Sequence, residues 1–329
     1  MFKRKTMAGS KCIGILTSGG DAPGMNAAIR AVTRSAIYNG FTVKGIMRGY
    51  KGLVYNEIVE FKSQSVSNII QLGGTILKTA RSQEFTTAEG RKAAYDNMVA
   101  AGINALVVIG GDGSFMGARA LANQGIPCVG IPGTIDNDIA CSEYTIGYDT
   151  AMNTAVEAID KLRDTTQSHD RCSVVEVMGH HAGYIALNVG IATGALAVLL
   201  PERPFDFERD ILQRMRQTQV TGKKHFIIIV SEGVTDAQTL ANQIQAATGV
   251  DSRATVLGHI QRGGSPTVRD RVNASLMGYH AVDLLDKGIY NRVVALSGGK
   301  IVDYDVNVAL SMHKYLDPME IEVAQAISI

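Results

Sequence analysis

The amino-acid sequence predicts an α/β protein of two doubly wound domains with mainly parallel sheets, each in a three-layer αβα arrangement. Short, continuous apolar runs rich in β-branched residues are typical of strands buried on both faces of a parallel sheet. Amphipathic segments alternate with these runs, which indicates helices on both faces of each sheet. The chain has 329 residues, 46% of them hydrophobic, and this length suits two domains better than one.

The predicted elements follow one another along the chain. The first strand is "KCIGIL", and the next strands in the first half are "ALVVIG" and "IPCVGI". Between the first two lies a helix with the apolar stripe Met25, Ala28, Ile29, Val32 and Ala36. A second helix has the stripe Met152, Ala155, Val156, Ile159 and Leu162. The strands "RCSVVEV", "LAVLLP", "HFIIIVSEG" and "RVVAL" complete the pattern.

Composition excludes several classes of protein. The 32 basic and 31 acidic residues give a net charge of +1 without a dense basic run, so no nucleic-acid partner is expected. The apolar stretch near Ala182–Leu200 is interrupted by Asn188 and Thr193, so no membrane partner is expected either. The basic N-terminal segment lacks the apolar core of a signal peptide. The four cysteines show no C-x-x-C pairing and are expected to be free thiols in the cytoplasm: Cys12, Cys128, Cys141 and Cys172.

Three glycine-containing loops each follow a predicted strand. They are Thr17–Asn26 ("TSGGDAPGMN"), Ile109–Gly117 ("IGGDGSFMG") and Ile131–Asp138 ("IPGTIDND"). Loops at the carboxyl ends of parallel strands share one rim of the sheet. Glycines between a strand and a helix let backbone N–H groups approach an anion at the positive end of the helix. Either of the first two loops alone is also compatible with an ordinary tight turn, but the three together favour a phosphate site.

Three aspartates in these loops suggest phosphoryl transfer. Asp112 can hold a cation against phosphates, because Mg²⁺ takes one or two carboxylates and completes its shell with water and phosphate oxygens. Asp136 can accept the proton of an attacking substrate hydroxyl. Two interpretations of Asp138 stay open. It either leans toward the cation or orients the loop, or it forms an Asx turn with its own backbone.

Other motifs for phosphate or metal chemistry are absent. No Gly-x4-Gly-Lys-Ser/Thr sequence occurs, "TGKKH" (Thr221–His225) is only a partial match, and no H-R-D and D-F-G set is present. No zinc-ligand spacing occurs. His180 and His181 are predicted to point to opposite faces of a strand, which favours structural histidines over metal ligands. An anionic acceptor would need the planar forks of arginines, and the candidates are Arg81, Arg163, Arg171, Arg253 and Arg262, with His259 beside the last.

These residues stand in motifs that resemble those of the bacterial ATP-dependent 6-phosphofructokinases. The motifs are "TSGGDAPGMNAAIR", "VVIGGDGS", "PGTIDNDI", "VVEVMG" and "LGHIQRGGSP", and the resemblance runs from about Cys12 to about Ala309. It implies phosphorylation of fructose 6-phosphate by ATP at the 1-hydroxyl, the committed step of glycolysis. It also implies two Rossmann-like domains. The ATP-binding domain would comprise residues 9–146 plus about 260–310, and the fructose 6-phosphate-binding domain residues 147–259 plus about 311–329.

The resemblance implies roles for individual residues. Asp136, Arg81 and Thr134 would be catalytic, with Asp136 as the base and Arg81 neutralising charge on the transferred group, and Asp112 would hold Mg²⁺. ATP binding is implied for Gly20, Arg81, Ser82, Gly111, Asp112, Gly113 and Ser114. Fructose 6-phosphate binding is implied for Thr134, Ile135, Asp136, Arg171, Met178, Gly179, His180, Glu232, Arg253, His259, Ile260, Gln261 and Arg262.

Two further features follow from the resemblance. Arg171 and Arg253 would reach a 6-phosphate bound by a neighbouring subunit, which implies a homotetramer with shared active sites. ATP is implied as the donor because pyrophosphate-dependent relatives carry Asp at the position of Gly113 and Lys at that of Gly133. Side chains at these two positions would crowd the α-phosphate of a nucleotide.

The departures from the family pattern lie mainly in its effector site. The effector cations are implied at Arg30, Arg34, Arg163, Lys223 and Lys224. Ser63 replaces the usual arginine and Leu196 the usual glutamate. Serine cannot form the bidentate hydrogen bonds that an arginine makes to a phosphate, and leucine cannot coordinate Mg²⁺. We therefore expect weak or absent activation by ADP and blunted inhibition by phosphoenolpyruvate. His180 also stands where an arginine is common, which predicts a modest loss of transition-state stabilisation.

Three alternative functions are weighed against this one. NAD and lipid kinases share "GGDG" but would lack "PGTIDND" and "GHIQRGGSP". A pyrophosphate-dependent sugar-phosphate kinase is disfavoured by Gly113 and Gly133. A non-catalytic regulatory subunit would be expected to have lost Asp112, Asp136 or Arg81, and all three are present.

Overall fold

The computed structural model describes residues 11–328. Residues 9, 10 and 329, which belong to the predicted domains, lie outside the described part, as does most of the N-terminal segment considered as a signal peptide. The described chain divides into two compact units. The first unit comprises residues 11–135, 139–149 and 262–314, and the second comprises residues 136–138, 150–261 and 315–328.

The secondary structure alternates between strands and helices for most of the chain. The strands are β1 (Cys12–Thr17), β2 (Thr42–Ile46), β3 (Ile58–Phe61), β4 (Ala105–Gly110), β5 (Cys128–Pro132), β6 (Cys172–Val177), β7 (Ala197–Leu199), β8 (Phe226–Ser231), β9 (Ser252–Val256), β10 (Arg292–Ser297) and β11 (Lys300–Asp305). The α-helices are α1 (Met25–Tyr38), α2 (Gly49–Val54), α3 (Ala88–Ala100), α4 (Asp112–Ala122), α5 (Tyr148–Ser168), α6 (Tyr184–Thr193), α7 (Gln213–Val220), α8 (Ala237–Thr248), α9 (Val268–Asp286), α10 (Val306–Ser311) and α11 (Pro318–Ala326). Short 3₁₀ helices span Ser63–Val66, Glu84–Thr86 and Gly258–Arg262, and a π-helical turn, Glu208–Leu212, precedes α7.

The sheet of the first unit has seven strands in the order β11-β10-β5-β4-β1-β2-β3. The five inner strands are parallel, and the edge strands β3 and β11 are antiparallel to their neighbours. From β1 the chain winds outward through β2, and it then returns to the other side of β1 as β4. This reversal is a topological switch point, where open α/β sheets bind ligands in the crevice beyond the strand ends. The loops after β1 and β4 therefore flank the expected binding crevice.

Helices cover both faces of this sheet. Leu106 and Val108 of β4 pack in one buried cluster with Leu53, Met98 and Leu121 from α2, α3 and α4. On the other side, α1 packs against α9 and against the inner strands. Fully burying a large aliphatic side chain contributes about 1.5–3 kcal/mol, so the continuous apolar runs stabilise a sheet covered on both faces.

The sheet of the second unit has four parallel strands in the order β7-β8-β6-β9. Val174 of β6 and Ile228 of β8 pack with Met215 of α7 and with Leu240 and Ile244 of α8. Helices α6 and α11 pack together, and α6 also contacts β7 and β8. The carboxyl ends of the neighbouring strands β8, β6 and β9 lead into the segments that carry Glu232, Met178–His180 and His259–Gln261.

The predicted α/β class with mainly parallel sheets is confirmed, and each of the seven predicted strands is present. All four cysteines are free and buried, and burial, followed by the charge of Asp112, raises the pKa of Cys141 to about 11. One local prediction was wrong. His180 and His181 lie in the turn before α6, where His180 has φ 58° and the two rings are 4.1 Å apart. Between residues 11 and 328, no helix has the length and apolar character needed to span a membrane.

Candidate active site

The loop after β1 is held close to the end of β4. The Ser18 backbone N–H donates to the Ile109 carbonyl over 3.0 Å, and the Thr79 hydroxyl donates to the Gly19 carbonyl over 2.6 Å. A Cβ at Gly20 would lie 2.4 Å from Nη1 of Arg262. A side chain at position 20 would therefore push the guanidinium of Arg262 away from the backbone.

The loop after β4 leads directly into α4. A Cβ at Gly110 would lie 2.4 Å from both the Ser114 hydroxyl and the Ser18 carbonyl, so the two loops touch through a position that only glycine fits. Asp112 is the first residue of α4, and Asp112 and Gly113 are exposed. The buried Tyr50 hydroxyl donates to the Ser114 carbonyl over 2.5 Å and fixes this first turn. Exposed N–H groups at this helix start form a suitable anion site.

Asp112 fits the predicted magnesium chemistry. Among residues 11–328, no group of three His, Cys, Asp or Glu side chains could hold a metal ion by itself. A metal at this helix start would therefore need oxygens from outside the protein. One exposed carboxylate beside a loop predicted to bind phosphate is compatible with the preference of Mg²⁺ for one or two carboxylates plus phosphate oxygens and water.

Arg81 and Ser82 have different surroundings. Arg81 is exposed. The Ser82 hydroxyl donates to Glu84 Oε2 over 3.1 Å and accepts from the Phe85 backbone N–H over 3.3 Å, so it caps the short helix Glu84–Thr86. Phe85 stacks on Tyr50 with ring centroids 4.2 Å apart. The Arg81 segment is thus packed against the same tyrosine that fixes the start of α4.

Two glycines predicted to favour ATP have different surroundings. A Cβ at Gly113 would meet no atom within 4 Å. Gly133 is buried, and a Cβ there would lie 3.0 Å from Ile109 Cγ2 and 3.2 Å from Met25 Cε. Position 113 therefore opens to space that a ligand can use, whereas position 133 is limited first by packing within the protein.

The "PGTIDND" loop crosses from the first unit to the second. Thr134 and Ile135 belong to the first unit, and the Thr145 hydroxyl donates to the Thr134 carbonyl over 2.7 Å. Asp136 belongs to the second unit and is 7% exposed. Asn137 is buried with φ 53°, a left-handed conformation that asparagine tolerates. The charge of Asp138 reaches Tyr184, whose pKa is raised to about 12, first by burial and then by Glu202, Asp138 and Glu320.

Glu232 organises the turn after β6 in the second unit. Its Oε2 accepts hydrogen bonds from the backbone N–H groups of Gly179, at 3.4 Å, and His180, at 3.2 Å. Met178 precedes this pair and is partly buried. A Cβ at Gly179 would lie 2.3 Å from the Ala182 carbonyl oxygen. The structure thus brings together four residues predicted to bind the sugar: Met178, Gly179, His180 and Glu232.

The predicted phosphate-binding arginines of the second unit share one carboxylate. Arg171 Nε donates to Asp251 Oδ2 over 2.6 Å, and Arg253 Nε lies 3.1 Å from Asp251 Oδ1. The hydrogen bond from Arg171 lowers the pKa of Asp251, and the charge of Arg253 acts in the same direction. Sequence reasoning missed Asp251. Its position two residues before Arg253, a candidate phosphate ligand, was the available indication.

The "GHIQRGGSP" motif is divided between the units. His259 and Ile260 are exposed and Gln261 is buried in the second unit, where the Gln261 amide donates to the Gly258 carbonyl over 3.2 Å. Arg262 belongs to the first unit, and its Nη1 donates to the Asp21 carbonyl over 3.2 Å. The predicted sugar-phosphate residue Arg262 therefore lies against the glycine loop after β1.

The predicted effector cations form one group in each unit. In the first unit, burial and then the charge of Arg34 lower the pKa of Arg30. In the second unit, burial and then the charge of Arg163 lower the pKa of Lys223. His225, which sequence reasoning did not select, joins this group, because burial, Lys223 and Arg163 lower its pKa in that order. Lys224 is exposed.

The two residues that depart from the effector pattern differ in exposure. Ser63 is exposed at the start of a 3₁₀ helix, where an arginine would reach solvent. Leu196 is 1% exposed and packs in the hydrophobic cluster of the second unit. Its side chain contributes to the core and does not face an effector.

Known proteins are similar to this chain along nearly its whole length. The phosphofructokinase family profile matches residues 12–285. The chain is 52% identical over 318 residues to the ATP-dependent 6-phosphofructokinase of Clostridium botulinum, covering 97% of this chain and 99% of that protein. It is 54% identical over 316 residues to that of Clostridium tetani, covering 96% and 99%. The solved phosphofructokinase of Saccharomyces cerevisiae matches 97% of this chain with a TM-score of 0.86 and 33% identity, and this chain spans 46% of that longer chain. The chain belongs to the phosphofructokinase family.

Proposed function

We propose that the chain transfers the γ-phosphoryl group of ATP to the 1-hydroxyl of fructose 6-phosphate, giving fructose 1,6-bisphosphate and ADP, the committed step of glycolysis. The observation that carries this proposal is the 52–54% identity, over almost the full length of both chains, to relatives named ATP-dependent 6-phosphofructokinase. Family membership disfavours an NAD or lipid kinase. The pyrophosphate-dependent alternative has no support among these relatives.

The nucleotide is proposed to bind the first unit. Gly20, Gly111 and Gly113 would offer backbone N–H groups in the loop after β1 and at the start of α4. The Ser114 N–H donates to the Gly111 carbonyl over 2.9 Å, so Ser114 would contribute through its hydroxyl. Arg81 and Ser82 would approach from the segment after β3. The open space around Gly113 supports a bulky donor. Asp112 would hold Mg²⁺, which neutralises phosphate charge when bound. The Ser82 hydroxyl already accepts a hydrogen bond from the short helix Glu84–Thr86. Ser82 would therefore contribute to ATP binding by positioning Arg81 or through its own backbone.

The reaction is proposed to depend on Asp136, Thr134 and Arg81. Asp136 would take the proton of the 1-hydroxyl as that oxygen attacks the γ-phosphorus. Thr134 would orient the loop and contact the transferred group. Arg81 would stabilise the charge that builds on the phosphoryl oxygens, a contribution that cationic side chains make widely in phosphoryl transfer. A positioned general base typically contributes about 10²–10⁴-fold to the rate.

The residues proposed to bind the sugar phosphate are those that the family motifs supply. Ile135, Met178, Gly179, His180 and Glu232 would contact the sugar, with Glu232 oriented by its hydrogen bonds to the turn after β6. The motif residues His259, Ile260, Gln261 and Arg262 would contact the sugar phosphate. Arg171 and Arg253 would bind the 6-phosphate held by a neighbouring subunit. We therefore propose a cytoplasmic homotetramer with shared active sites.

Effector control is proposed to be weak. Arg30 and Arg34 of the first unit and Arg163, Lys223 and Lys224 of the second would supply cations for ADP or phosphoenolpyruvate. Ser63 lacks the guanidinium group, and Leu196 lacks the carboxylate, that complete this site in regulated relatives. Weak activation by ADP and blunted inhibition by phosphoenolpyruvate would follow.

A coupled kinase assay tests the proposed function. Wild type and Asp136→Ser are assayed with fructose 6-phosphate and either ATP or pyrophosphate as the donor. We expect turnover with ATP alone, and a fall in kcat of about 10²–10⁴-fold in Asp136→Ser because the general base is lost. Asp96→Asn, on the exposed side of α3, is the matched control and should match wild type. Turnover with pyrophosphate and not ATP would overturn the proposal in favour of a pyrophosphate-dependent sugar-phosphate kinase. No turnover with either donor would favour a non-catalytic regulatory subunit.

A further inference from the structure

A buried carboxyl group anchors the segment that follows the "PGTIDND" loop. Asp270, in the first turn of α9, is 0% exposed. Its Oδ1 accepts a hydrogen bond from the buried Tyr144 hydroxyl and another from the Gly147 backbone N–H, the latter over 2.7 Å. The Arg269 guanidinium lies 4.6 Å from the centre of the Tyr144 ring. A buried carboxyl is tolerated only when hydrogen bonds compensate its desolvation, so these donors hold Tyr144 and Gly147 tightly.

The anchored segment is in turn hydrogen-bonded to the loop that carries Thr134. The Thr145 hydroxyl donates to the Thr134 carbonyl over 2.7 Å. The Ile146 N–H donates to the Pro132 carbonyl over 3.0 Å, and Gly133 and Ile146 pair as an isolated parallel bridge. A continuous series of contacts therefore runs from Asp270 through residues 144–147 to Thr134, two positions before Asp136 in the sequence.

The same anchor packs against the loop after β1. A Cβ at Gly24, which has φ 107°, would lie 2.7 Å from Ile146 Cγ2 and 3.4 Å from the Cβ of Asp270. A Cβ at Gly147 would lie 2.6 Å from the Cβ of Ala22. The loop before α1, residues 144–147 and the start of α9 are thus packed on one buried carboxyl, with little room for any of them to shift separately.

We propose that Tyr144 and Asp270 are positioning residues for phosphoryl transfer, which act by fixing Thr134 and, through the chain, the base at position 136. Neither residue is assigned a substrate contact, and the proposal rests on the proposed function. A displacement of about 1 Å in a reacting group can reduce a rate by roughly 10²-fold, so a support of this kind affects kcat without touching a ligand.

Tyr144→Phe is the most conservative test, because it keeps the ring and removes only the hydroxyl. We expect kcat to fall by about 10–100-fold while the KM for ATP changes by less than about threefold, since loss of the Tyr144 hydroxyl leaves the packing of Gly24 and Gly147 at the loop before α1 in place. Tyr279→Phe, on the exposed side of α9, is the matched control and should match wild type. Thr145→Val removes the next link in the series and should reproduce the kcat effect. Asp270→Asn tests the carboxyl side of the same contact, and Thr145→Val takes its place if Asp270→Asn folds poorly.

Two measurements distinguish positioning from a purely structural role. In an Asp136→Ser background, Tyr144→Phe should lower kcat by much less than it does in the wild-type background, because the base is absent and only the contribution of Thr134 can still be lost. Amide hydrogen exchange at Gly133 and Thr134 should become faster in Tyr144→Phe than in Tyr279→Phe. A lower Tm with an unchanged kcat, a full additional loss in the Asp136→Ser background, or unchanged exchange would each overturn the inference. An inactive wild type would overturn the proposed function, and the exchange experiment would still decide whether the hydroxyl holds the Thr134 segment.

Discussion

Asp251 holds Arg171 through a hydrogen bond of 2.6 Å and approaches Arg253 with its other carboxylate oxygen. Both arginines are proposed to bind a phosphate, so an acid between them has two opposing effects. It fixes the guanidinium groups in place, and it repels the phosphate dianion. All three side chains are partly exposed, so water and salt screen the repulsion, and orientation is expected to be the stronger effect.

Two substitutions of Asp251 separate orientation from charge. Asp251→Leu removes the acceptor, and the two arginines must then be ordered on binding at about 0.5–1.5 kcal/mol each, so we expect the KM for fructose 6-phosphate to rise by roughly 10-fold. Asp251→Asn keeps an acceptor and removes the charge, so its KM should stay near or below the wild-type value. The KM for ATP should be unchanged in both variants. A lower KM in both variants would show that repulsion dominates.

Gly113 and Gly133 are predicted to respond differently to a side chain. Gly113→Ala should raise the free energy of unfolding by about 0.5–1 kcal/mol, because its Cβ enters open space within α4 and the glycine entropy is removed. Gly133→Ala should lower it by about 1–3 kcal/mol, since its Cβ presses on Ile109 and Met25. Urea unfolding measures both changes. Gly113→Asp should leave the fold intact and weaken ATP binding, and equal ATP affinity in Gly113→Asp and wild type would contradict the steric account.

The strands that sequence analysis identified are the ones buried on both faces, because their apolar runs are uninterrupted. It missed β2, where Lys44 and Gly45 break the run, and the partly exposed edge strands β3 and β11. It also missed β9, which carries Arg253 at the edge of the second sheet. β2 and β9 are stabilised by backbone pairing with neighbours distant in sequence, which periodicity within a short window does not report. β11 instead pairs with β10 across the two-residue turn Gly298–Gly299, a local hairpin pattern that the sequence analysis did not use.

The candidate site was predicted where function is concentrated in short motifs. The glycine loops, Asp112 and the "PGTIDND" loop could be selected because their residues lie together in sequence. The supports Tyr50, Tyr144 and Asp270 could not, because each acts through partners in other elements. Tyr50, for example, reaches the carbonyl of Ser114, 64 positions later, and Tyr144 reaches Asp270, 126 positions later.

ADP is predicted to have little effect on the wild type. We expect ADP to shift the half-saturating fructose 6-phosphate concentration by less than the roughly fivefold that marks the low end of typical allosteric coupling. Ser63→Arg should increase the change that ADP causes in the half-saturating concentration. Position 63 is exposed, and an arginine there can form bidentate hydrogen bonds to a phosphate. Sigmoidal curves that micromolar ADP straightens in the wild type would contradict this prediction.

Leu196→Glu is not expected to restore effector binding. Leu196 lies in the hydrophobic cluster of the second unit, so a carboxylate there would be buried among apolar side chains that cannot hydrogen-bond to it. We expect a lower Tm than in wild type, whereas Leu196→Met, which conserves volume, should cost less than about 1.5 kcal/mol. Thermal unfolding followed by circular dichroism measures both. An unchanged Tm in Leu196→Glu together with new ADP activation would show that this side chain can turn outward.

His180→Arg is predicted to trade stability for rate. Arginine would bring a full positive charge to a position where charge on the transferred phosphoryl group is proposed to build, so a modest rise in kcat is expected. His180 has φ 58°, a left-handed conformation that histidine adopts more often than most L residues, so the variant should be slightly less stable than wild type. Steady-state kinetics and urea unfolding test the two parts separately. Unchanged kcat and ATP affinity would contradict the electrostatic part.

The pKa of His225 is predicted to report on the cation group around Arg163. Burial, Lys223 and Arg163 lower this pKa below its ordinary value of 6.5, and Asp170 acts in the opposite direction. A histidine whose pKa is lowered on folding favours the neutral form, so its contribution to stability is complete above pH 6.5 and is lost as the pH falls through the folded-state value. Arg163→Met should therefore raise the pKa of His225, and Asp170→Asn should lower it.

These shifts can be followed by an NMR titration of histidine labelled at Cε1. Lys161→Met, which removes a surface cation paired with Glu157 on the same helix as Arg163, is the matched control and should leave the His225 titration unchanged. Inorganic phosphate binding among these cations would favour the protonated imidazole and raise the pKa of His225 in wild type. A smaller rise in Arg163→Met would follow, because one of the cations that attracts the phosphate is gone. Equal titrations in wild type, Arg163→Met and Asp170→Asn would show that these charges do not act on His225, and burial alone would then account for its shift.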